Sequence, residues 1–173
     1  VRCLIDCGTN AEIALGNNEW LVTCAASAGP AFEGGGTTWG TRATLGAIEK
    51  VEITGGRVSY QTISNGKPRG ICGSGLIDCI YELARNKIIG RDGKFDLSLK
   101  DPRITIENDI PQYIIAPPEE TESGKAVTIS ETDIANLIKS KGAVFAAVKS
   151  LVDYVGMTFP QIDTIYLAGG FGS

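Results

Sequence analysis

The chain is 173 residues long, with a mass of 18.2 kDa, a net charge of −4, 43% hydrophobic residues and 21% charged residues. This composition is typical of a soluble globular protein, and the length allows one domain or two small subdomains. The mild acidity argues against nucleic acid or an anionic membrane as a partner. No apolar run approaches the roughly 18 residues that span a bilayer, and no leader pattern opens the sequence, so we expect a cytoplasmic protein without a membrane partner.

The sequence contains no histidine, which excludes a Ser–His–Asp triad, a Cys–His dyad and any imidazole-ligated metal site. Acid–base chemistry would fall to Asp, Glu, Lys or Tyr side chains. The cysteines are odd in number and form no CxxC pair, so we interpret them as reduced, structural thiols rather than ligands of zinc or of an iron–sulfur cluster. They are Cys3, Cys7, Cys24, Cys72 and Cys79.

The first residues predict three strands joined by tight turns. Apolar and β-branched residues at 2–7, 13–15 and 20–24 have strand-like composition, with glycine and asparagine between them. This order indicates an antiparallel β-meander.

A loop and a hairpin are predicted next. Residues 25–47 are rich in Gly, Ala, Ser and Thr, which is typical of a loop. Residues 48–53 and 58–63 flank Gly55-Gly56 and predict a β-hairpin.

A helix is predicted from Ser74, as its N-cap, to about Lys87, with Asp78 in the first turn. Residues 89–129 are predicted to be irregular, apart from a strand at 113–116. The apolar side chains that follow the helical period are Leu76, Ile77, Ile80, Leu83 and Ala84.

A second, longer helix is predicted to begin at a capping box of Ser130 and Asp133 and to end near Val155, before Gly156. Gly142 in its interior indicates a place where another segment approaches closely. The apolar side chains predicted to share one face of this helix are Ile134, Leu137, Ile138, Phe145, Val148, Leu151, Val152 and Val155.

A candidate phosphate site follows the first strand, at Asp6-Cys7-Gly8-Thr9-Asn10. A carboxylate at a strand end can hold Mg²⁺ directly or through water, while a glycine and a hydroxyl residue suit phosphate oxygens. The alternative is a plain β-turn with an Asx hydrogen bond, because Asp-x-Gly-Thr is a short pattern.

A second candidate site follows the predicted strand at 162–167 and comprises Ala168-Gly169-Gly170-Phe171-Gly172. Glycines here would let a flat ligand, such as adenosine, lie against the backbone; the alternative is a glycine turn needed for packing. The two patterns strengthen one another because each follows a strand, and ligands of open α/β sheets collect at strand ends.

Other recognised ligand patterns are missing from the sequence. GxxxxGK[ST] does not occur, and the glycines at 70, 73 and 75 do not fit GxGxxG. Ser74 is a helix cap rather than a nucleophile, because no histidine can activate it, although a helix start behind three glycines suits an anion. Glu12 and Glu33 are the candidate carboxylates near the site, and a solvated surface position is the alternative for each.

Five segments, taken in order, resemble the C-terminal domain of the ATP-dependent reductive activators of corrinoid proteins. These activators belong to the superfamily of acetate and sugar kinases, heat-shock chaperones and actin. The resemblance covers nearly the whole chain, and five motifs in order are more specific than any one of them. The segments are LIDCGTNAEIAL at 4–15, SAGPAFEG at 27–34, GAIE at 46–49, GICGSGLID at 70–78 and LAGGFG at 167–172.

The resemblance implies an α/β fold built from a pair of ribonuclease-H-like domains with mixed sheets, of which residues 1–173 form the second. Residues 25–129 would contain an inserted β-hairpin and loop subdomain. ATP and Mg²⁺ would bind in the cleft between the two domains. The resemblance implies that Asp6 places Mg²⁺ or water and is catalytic, with Glu33 as a second catalytic candidate. It implies phosphate binding by Gly8, Thr9 and Asn10. It implies adenosine binding by Gly169, Gly170, Phe171 and Gly172.

The first phosphate motif and a ferredoxin-like iron–sulfur domain belong to other parts of such proteins. The resemblance therefore implies that this chain is a fragment, which alone binds nucleotide weakly or not at all. Full-length members couple ATP hydrolysis to the reduction of cob(II)alamin to cob(I)alamin on a corrinoid protein or corrinoid-dependent methyltransferase. Because that electron transfer runs uphill, a nucleotide-driven conformational change must be linked to it. The loop at 27–36 is expected to face the cleft or the corrinoid partner.

Ala11 stands where the family has a glycine, and a positive φ there would strain the turn. Two other functions remain open. The chain could be part of a sugar or small-acid kinase of the same superfamily, or a non-catalytic docking domain for a methyltransferase. Fold analogy alone does not separate these functions.

Overall fold

The computed structural model describes residues 1–8, 10–27 and 29–169, without the side chain of Phe32. Thr9, Gly170, Phe171 and Gly172, which are predicted site residues, therefore lie outside the described residues. The described part forms ten strands and two α-helices: β1 Arg2–Cys7, β2 Asn10–Gly16, β3 Leu21–Ser27, β4 Ala47–Thr54, β5 Arg57–Thr62, β6 Gly70–Ile71, α1 Gly73–Arg85, β7 Ile104–Glu107, β8 Ile110–Ala116, β9 Val127–Ser130, α2 Glu131–Tyr154 and β10 Thr164–Ala168.

The chain divides into two compact units, and each is described by itself. The first unit comprises Val1–Gly29 and Lys139–Ser173, and the second comprises Pro30–Ile138. None of the described helices is long and apolar enough to cross a membrane.

The first unit is built on a four-stranded sheet in the order β10-β1-β2-β3. The predicted antiparallel meander is confirmed, and β10 adds a parallel neighbour to β1. The turn after β2 is fixed by Asn17, whose side-chain oxygen accepts hydrogen bonds from the amides of Glu19 at 2.8 Å and Trp20 at 3.1 Å. The buried core of this unit comprises Cys3, Ile13, Leu15, Val148, Leu151 and Val152.

The second unit contains two three-stranded sheets, β5-β4-β6 and β7-β8-β9. The hairpin predicted around Gly55-Gly56 is confirmed as β4 and β5. The strand predicted at 113–116 is confirmed as part of β8. The prediction that the rest of residues 89–129 is irregular is wrong, because β7, the start of β8 and most of β9 lie there. These strands carry weak local signals: β7 has four residues, and all four residues of β9 are buried, so no alternation of polar and apolar residues marks it.

Helix α1 begins two residues earlier than predicted. Its N-cap is Cys72, not Ser74, because the Cys72 carbonyl accepts the first helical hydrogen bond from Leu76 at 2.9 Å. Asp78 consequently lies beyond the first turn, and its carboxylate instead accepts a hydrogen bond from the Val51 amide at 3.2 Å.

Helix α2 begins at the predicted capping box. The Asp133 amide donates to Ser130 Oγ at 3.1 Å, and the Ser130 amide donates to Asp133 Oδ2 at 2.9 Å. The helix ends at Tyr154, before Gly156, as predicted. The predicted apolar face is not buried along its whole length, since Ile138 and Phe145 are 41% and 56% exposed.

The apolar face of α2 is interrupted because the helix contributes to two cores. Ile134 and Leu137 are buried in the core of the second unit, whereas Val148 and Leu151 are buried in the core of the first. A single stripe drawn along all 24 residues of α2 does not describe both packings.

Gly142 is not the point of close approach that the sequence indicates. Apart from its chain neighbours and the backbone of its own helix, a Cβ built on Gly142 has no heavy atom of the described residues within 4 Å. We therefore expect Gly142→Ala to stabilise the 173-residue chain by about 0.5–1 kcal/mol, because alanine removes the entropic penalty of glycine inside a helix. Urea unfolding followed by circular dichroism measures this change, and a loss of stability would contradict it.

Candidate functional site

The two predicted ligand motifs begin side by side at one edge of the first unit's sheet. β1 and β10 are parallel neighbours, and Asp6 is paired with Ala168 at their carboxyl ends. The residue that ends the phosphate-motif strand therefore lies beside the residue that precedes Gly169. This edge is where ligands collect in open α/β sheets.

Gly169 lies directly against Asp6. A Cβ built on Gly169 would be 2.4 Å from Asp6 Oδ1 and 2.4 Å from the Cys7 carbonyl oxygen. Gly169 also has φ +85°, a conformation that L side chains rarely adopt. Both facts require glycine at this position.

Gly8 is less constrained than its place in the motif suggests. Its amide donates a hydrogen bond to the Asn10 carbonyl at 2.9 Å, which continues the pairing of β1 with β2 toward the tip of the hairpin. A Cβ built on Gly8 would meet only the Asn10 oxygen, at the ordinary distance of 3.6 Å. Phosphate binding by Gly8, Thr9 and Asn10 remains a prediction, and Thr9 lies outside the described residues.

The condition under which Ala11 would strain the turn, a positive φ, is not met. Ala11 is a fully buried residue of β2, paired with Cys7, and it is not among the residues with positive φ. Alanine suits a buried strand position, so the replacement of the family's glycine does not disturb the turn.

Two carboxylates share one face at this edge. Glu12 is directly opposite Asp6 in the antiparallel pairing of β1 and β2, so both side chains project from the same side of the sheet. Glu12 is exposed and Asp6 is half-buried. Like charges in this arrangement repel one another, and a cation bound nearby would relieve the repulsion.

Cys7, between the sheet and the hairpin tip, is not poised as a nucleophile. Burial and the negative charge of Asp6 both raise the pKa of the Cys7 thiol above its ordinary value. The thiol is therefore protonated at neutral pH, whereas a reactive cysteine needs the thiolate. The described cysteines are all free thiols, and Cys3, Cys72 and Cys79 are buried, in agreement with a structural role.

Glu33 lies in the second unit, as the last residue of the 3₁₀-helix Pro30–Glu33, and it is exposed. The glycines after it form a turn rather than an open loop: the Gly34 amide donates to the Ala31 carbonyl at 3.1 Å, and the Gly35 amide donates to the Pro30 carbonyl at 2.8 Å. The assignment of Glu33 as a catalytic carboxylate remains a prediction.

The segment after this turn is held by hydrogen bonds to Asp133, which no local sequence pattern predicts. The buried carboxylate of Asp133, besides capping α2, accepts hydrogen bonds from the amide of Thr38 at 2.9 Å and from its hydroxyl at 3.3 Å. Asn136 adds a bond from its side-chain amide to the Gly36 carbonyl at 2.9 Å. These partners are far apart in the chain. The capping box therefore predicts the role of Asp133 at the start of α2 but not its hydrogen bonds to Thr38.

The described residues contain no group of three or more Cys, Asp or Glu side chains that could enclose a metal ion. Mg²⁺ commonly uses one or two protein carboxylates and takes its other ligands from water and from substrate phosphates. Asp6, a half-buried carboxylate at the end of β1, is of the type that could hold a nucleotide-borne Mg²⁺ in this way.

Comparisons with known proteins agree with this architecture. The corrinoid activation enzyme RamQ of Eubacterium limosum is 34% identical over all of this chain and 30% of its own length. The [Co(II) methylated amine-specific corrinoid protein] reductase of Methanosarcina barkeri is 28% identical over 97% of this chain and 31% of its own length. The chain thus spans less than a third of the length of these relatives.

A solved structure, the reductive activator for corrinoid,iron-sulfur protein, superposes with a TM-score of 0.90 and 46% identity. The match covers 99% of this chain and 28% of that one. The predicted α/β fold with mixed sheets, of the superfamily that includes actin, is confirmed by this match. The family model described as "C-terminal domain of RACo the ASKHA domain" matches residues 1–173, and the chain belongs to this family.

Proposed function

We propose that this chain is the ATP-binding half-domain of a reductive activase of corrinoid proteins. The observation that carries the proposal is the meeting of Asp6 and Gly169 at the ends of neighbouring parallel strands. This geometry joins the start of the phosphate motif to the start of the adenosine motif, as one nucleotide spanning both would require. The names of the relatives point to corrinoid proteins as the partner.

The proposed roles follow the positions of the residues. Asp6 would hold Mg²⁺ directly or through water, with Glu12 on the same face contributing negative potential. The hairpin tip at residues 8–10 would contact phosphate, and residues 169–172 would contact adenosine. Bound Mg²⁺ would neutralise charge on the phosphate oxygens. Glu33 would be a second catalytic carboxylate.

The full-length protein would contain further domains. The relatives are more than three times as long as this chain, which leaves room for the first ATPase half and for a ferredoxin-like domain with its iron–sulfur cluster. The second unit, Pro30–Ile138, would be the inserted subdomain. A cytoplasmic location suits its five free thiols. The isolated chain, with one of two phosphate motifs, would bind nucleotide weakly or not at all.

The full-length protein tests this function directly. It is mixed with a reductant, Mg-ATP and a corrinoid protein loaded with cob(II)alamin, and the visible spectrum is followed for cob(I)alamin. We expect cob(I)alamin to form only when ATP is present, because the uphill electron transfer is coupled to a nucleotide-driven change.

Two other outcomes would contradict the proposal in different ways. ATP hydrolysis without cob(I)alamin, together with a phosphorylated sugar or small acid, would indicate a kinase. The absence of both hydrolysis and cob(I)alamin would indicate a docking domain for a methyltransferase.

A further inference from the structure

The contact between Gly169 and Asp6 leaves no space for a side chain at position 169. A Cβ there would lie 2.4 Å from Asp6 Oδ1, 2.4 Å from the Cys7 carbonyl oxygen and 2.9 Å from the Cys7 carbonyl carbon, and real Cβ atoms essentially never approach other atoms closer than 3.0 Å. One or more of these neighbours would have to move.

The backbone around this contact is held from both sides. Asp6 is paired with Ala168 in β10 and with Glu12 in β2, and Cys7 is paired with Ala11 in β2. The Asp6 carboxylate, in contrast, can turn about its side-chain bonds. Turning the carboxylate relieves the clash with Oδ1, whereas the two clashes with the Cys7 carbonyl are relieved only by a shift of the strand ends that carry Asp6 and Gly169. Either adjustment moves the Asp6 carboxylate.

We infer that Gly169 is a positioning residue for the Asp6 carboxylate: its missing side chain sets where that carboxylate sits at the strand end. This inference rests on the proposed function, because it gives Asp6 the Mg²⁺ contact. It differs from the adenosine role implied by the resemblance, since Gly169 would act through Asp6 rather than through the nucleotide. A larger residue at 169 should therefore impair the use of Mg²⁺ more than the binding of ATP itself.

The test compares ATP binding to the full-length protein at increasing Mg²⁺ concentrations and in excess EDTA, by isothermal titration calorimetry. We expect Gly169→Ala to raise the half-saturating Mg²⁺ concentration by about tenfold or more, the range typical when a residue that orients a metal ligand is changed. The affinity for metal-free ATP should fall by a smaller factor than the affinity for Mg-ATP.

Two variants serve as controls. Gly142→Ala, whose added Cβ meets no described atom within 4 Å, should leave the Mg²⁺ requirement unchanged. In an Asp6→Ala background, adding Gly169→Ala should raise the Mg²⁺ requirement no further, because two changes that act through one carboxylate are not additive. Gly169→Asn carries the same Cβ but tolerates positive φ better, so it replaces Gly169→Ala if the alanine variant does not fold.

The outcomes separate the inference from the function on which it rests. An equal loss of affinity for metal-free ATP and Mg-ATP would overturn the inference and return Gly169 to a direct nucleotide contact. An unchanged Mg²⁺ requirement in Gly169→Ala would also overturn it. Failure of the wild-type protein to bind Mg-ATP would instead overturn the proposed function, and the inference with it.

Discussion

Replacing Asp6 by alanine in the full-length protein is expected to slow ATP-dependent formation of cob(I)alamin by about 100-fold or more. The reason is that the proposed role of Asp6 is to hold the Mg²⁺ ion, which would neutralise charge on the phosphate oxygens. Asp6 ends β1 at the edge where β10 also ends, and it is the carboxylate that Gly169 contacts. The visible spectrum of the corrinoid protein measures the rate at saturating Mg-ATP.

A matched control is available in the same sheet. Glu19 is an exposed carboxylate in the turn between β2 and β3, at the opposite end of the sheet from Asp6. Glu19→Ala should keep the wild-type rate, because it removes an equal charge far from the strand ends that carry both motifs. If Asp6→Ala keeps the wild-type rate as well, the metal-binding role of Asp6 is wrong.

Much of the first unit could be predicted from local patterns. The meander strands have β-rich composition, and Asn17 closes its turn through its own side chain. The start of α2 was predictable because Ser130 and Asp133 satisfy one another's backbone amides within a single turn. Each of these features is stabilised by groups that are close in sequence.

The features that the sequence did not reveal depend on distant partners. β9 is buried at every position and finds its register only against β8, so its own four residues show no period. The division of the α2 side chains between two cores likewise cannot be predicted from the helical period of its apolar residues.

In the candidate site, too, the features with local causes could be predicted and those that depend on distant partners could not. Strand ends at Asp6 and Gly169 could be predicted from apolar runs followed by glycines. Their contact depends on the parallel pairing of the first and last strands, which no local pattern shows. The freedom of Gly8 and the unstrained Ala11 likewise follow from the β1–β2 register rather than from residue type.

Gly75→Ala is expected to destabilise the second unit by about 3 kcal/mol or more, at the upper end of the cost of overpacking a core. A Cβ on Gly75 would lie 2.2 Å from the Ile48 carbonyl oxygen and 2.9 Å from Ile71 Cγ2. The Ile48 carbonyl cannot retreat freely, because it accepts a hydrogen bond from the Cys72 amide at 3.0 Å. Helix α1 would therefore have to move away from β4, and the side chains of Leu76 and Leu83 would lose packing in the core.

The two tryptophans allow this prediction to be tested unit by unit. Trp39 packs against the core of the second unit and Trp20 against the core of the first. Urea unfolding of the 173-residue chain, followed by Trp39 fluorescence in a Trp20→Phe background, should show an early transition for Gly75→Ala. Gly142→Ala is the control in the first unit and is followed by Trp20 fluorescence in a Trp39→Phe background. The same substitution inside a helix with open space should raise stability. If Gly75→Ala has the same urea midpoint as the wild type, α1 does not approach β4 as closely as Gly75 implies. If both variants lose stability equally, the loss is caused by glycine replacement in general and not by this contact.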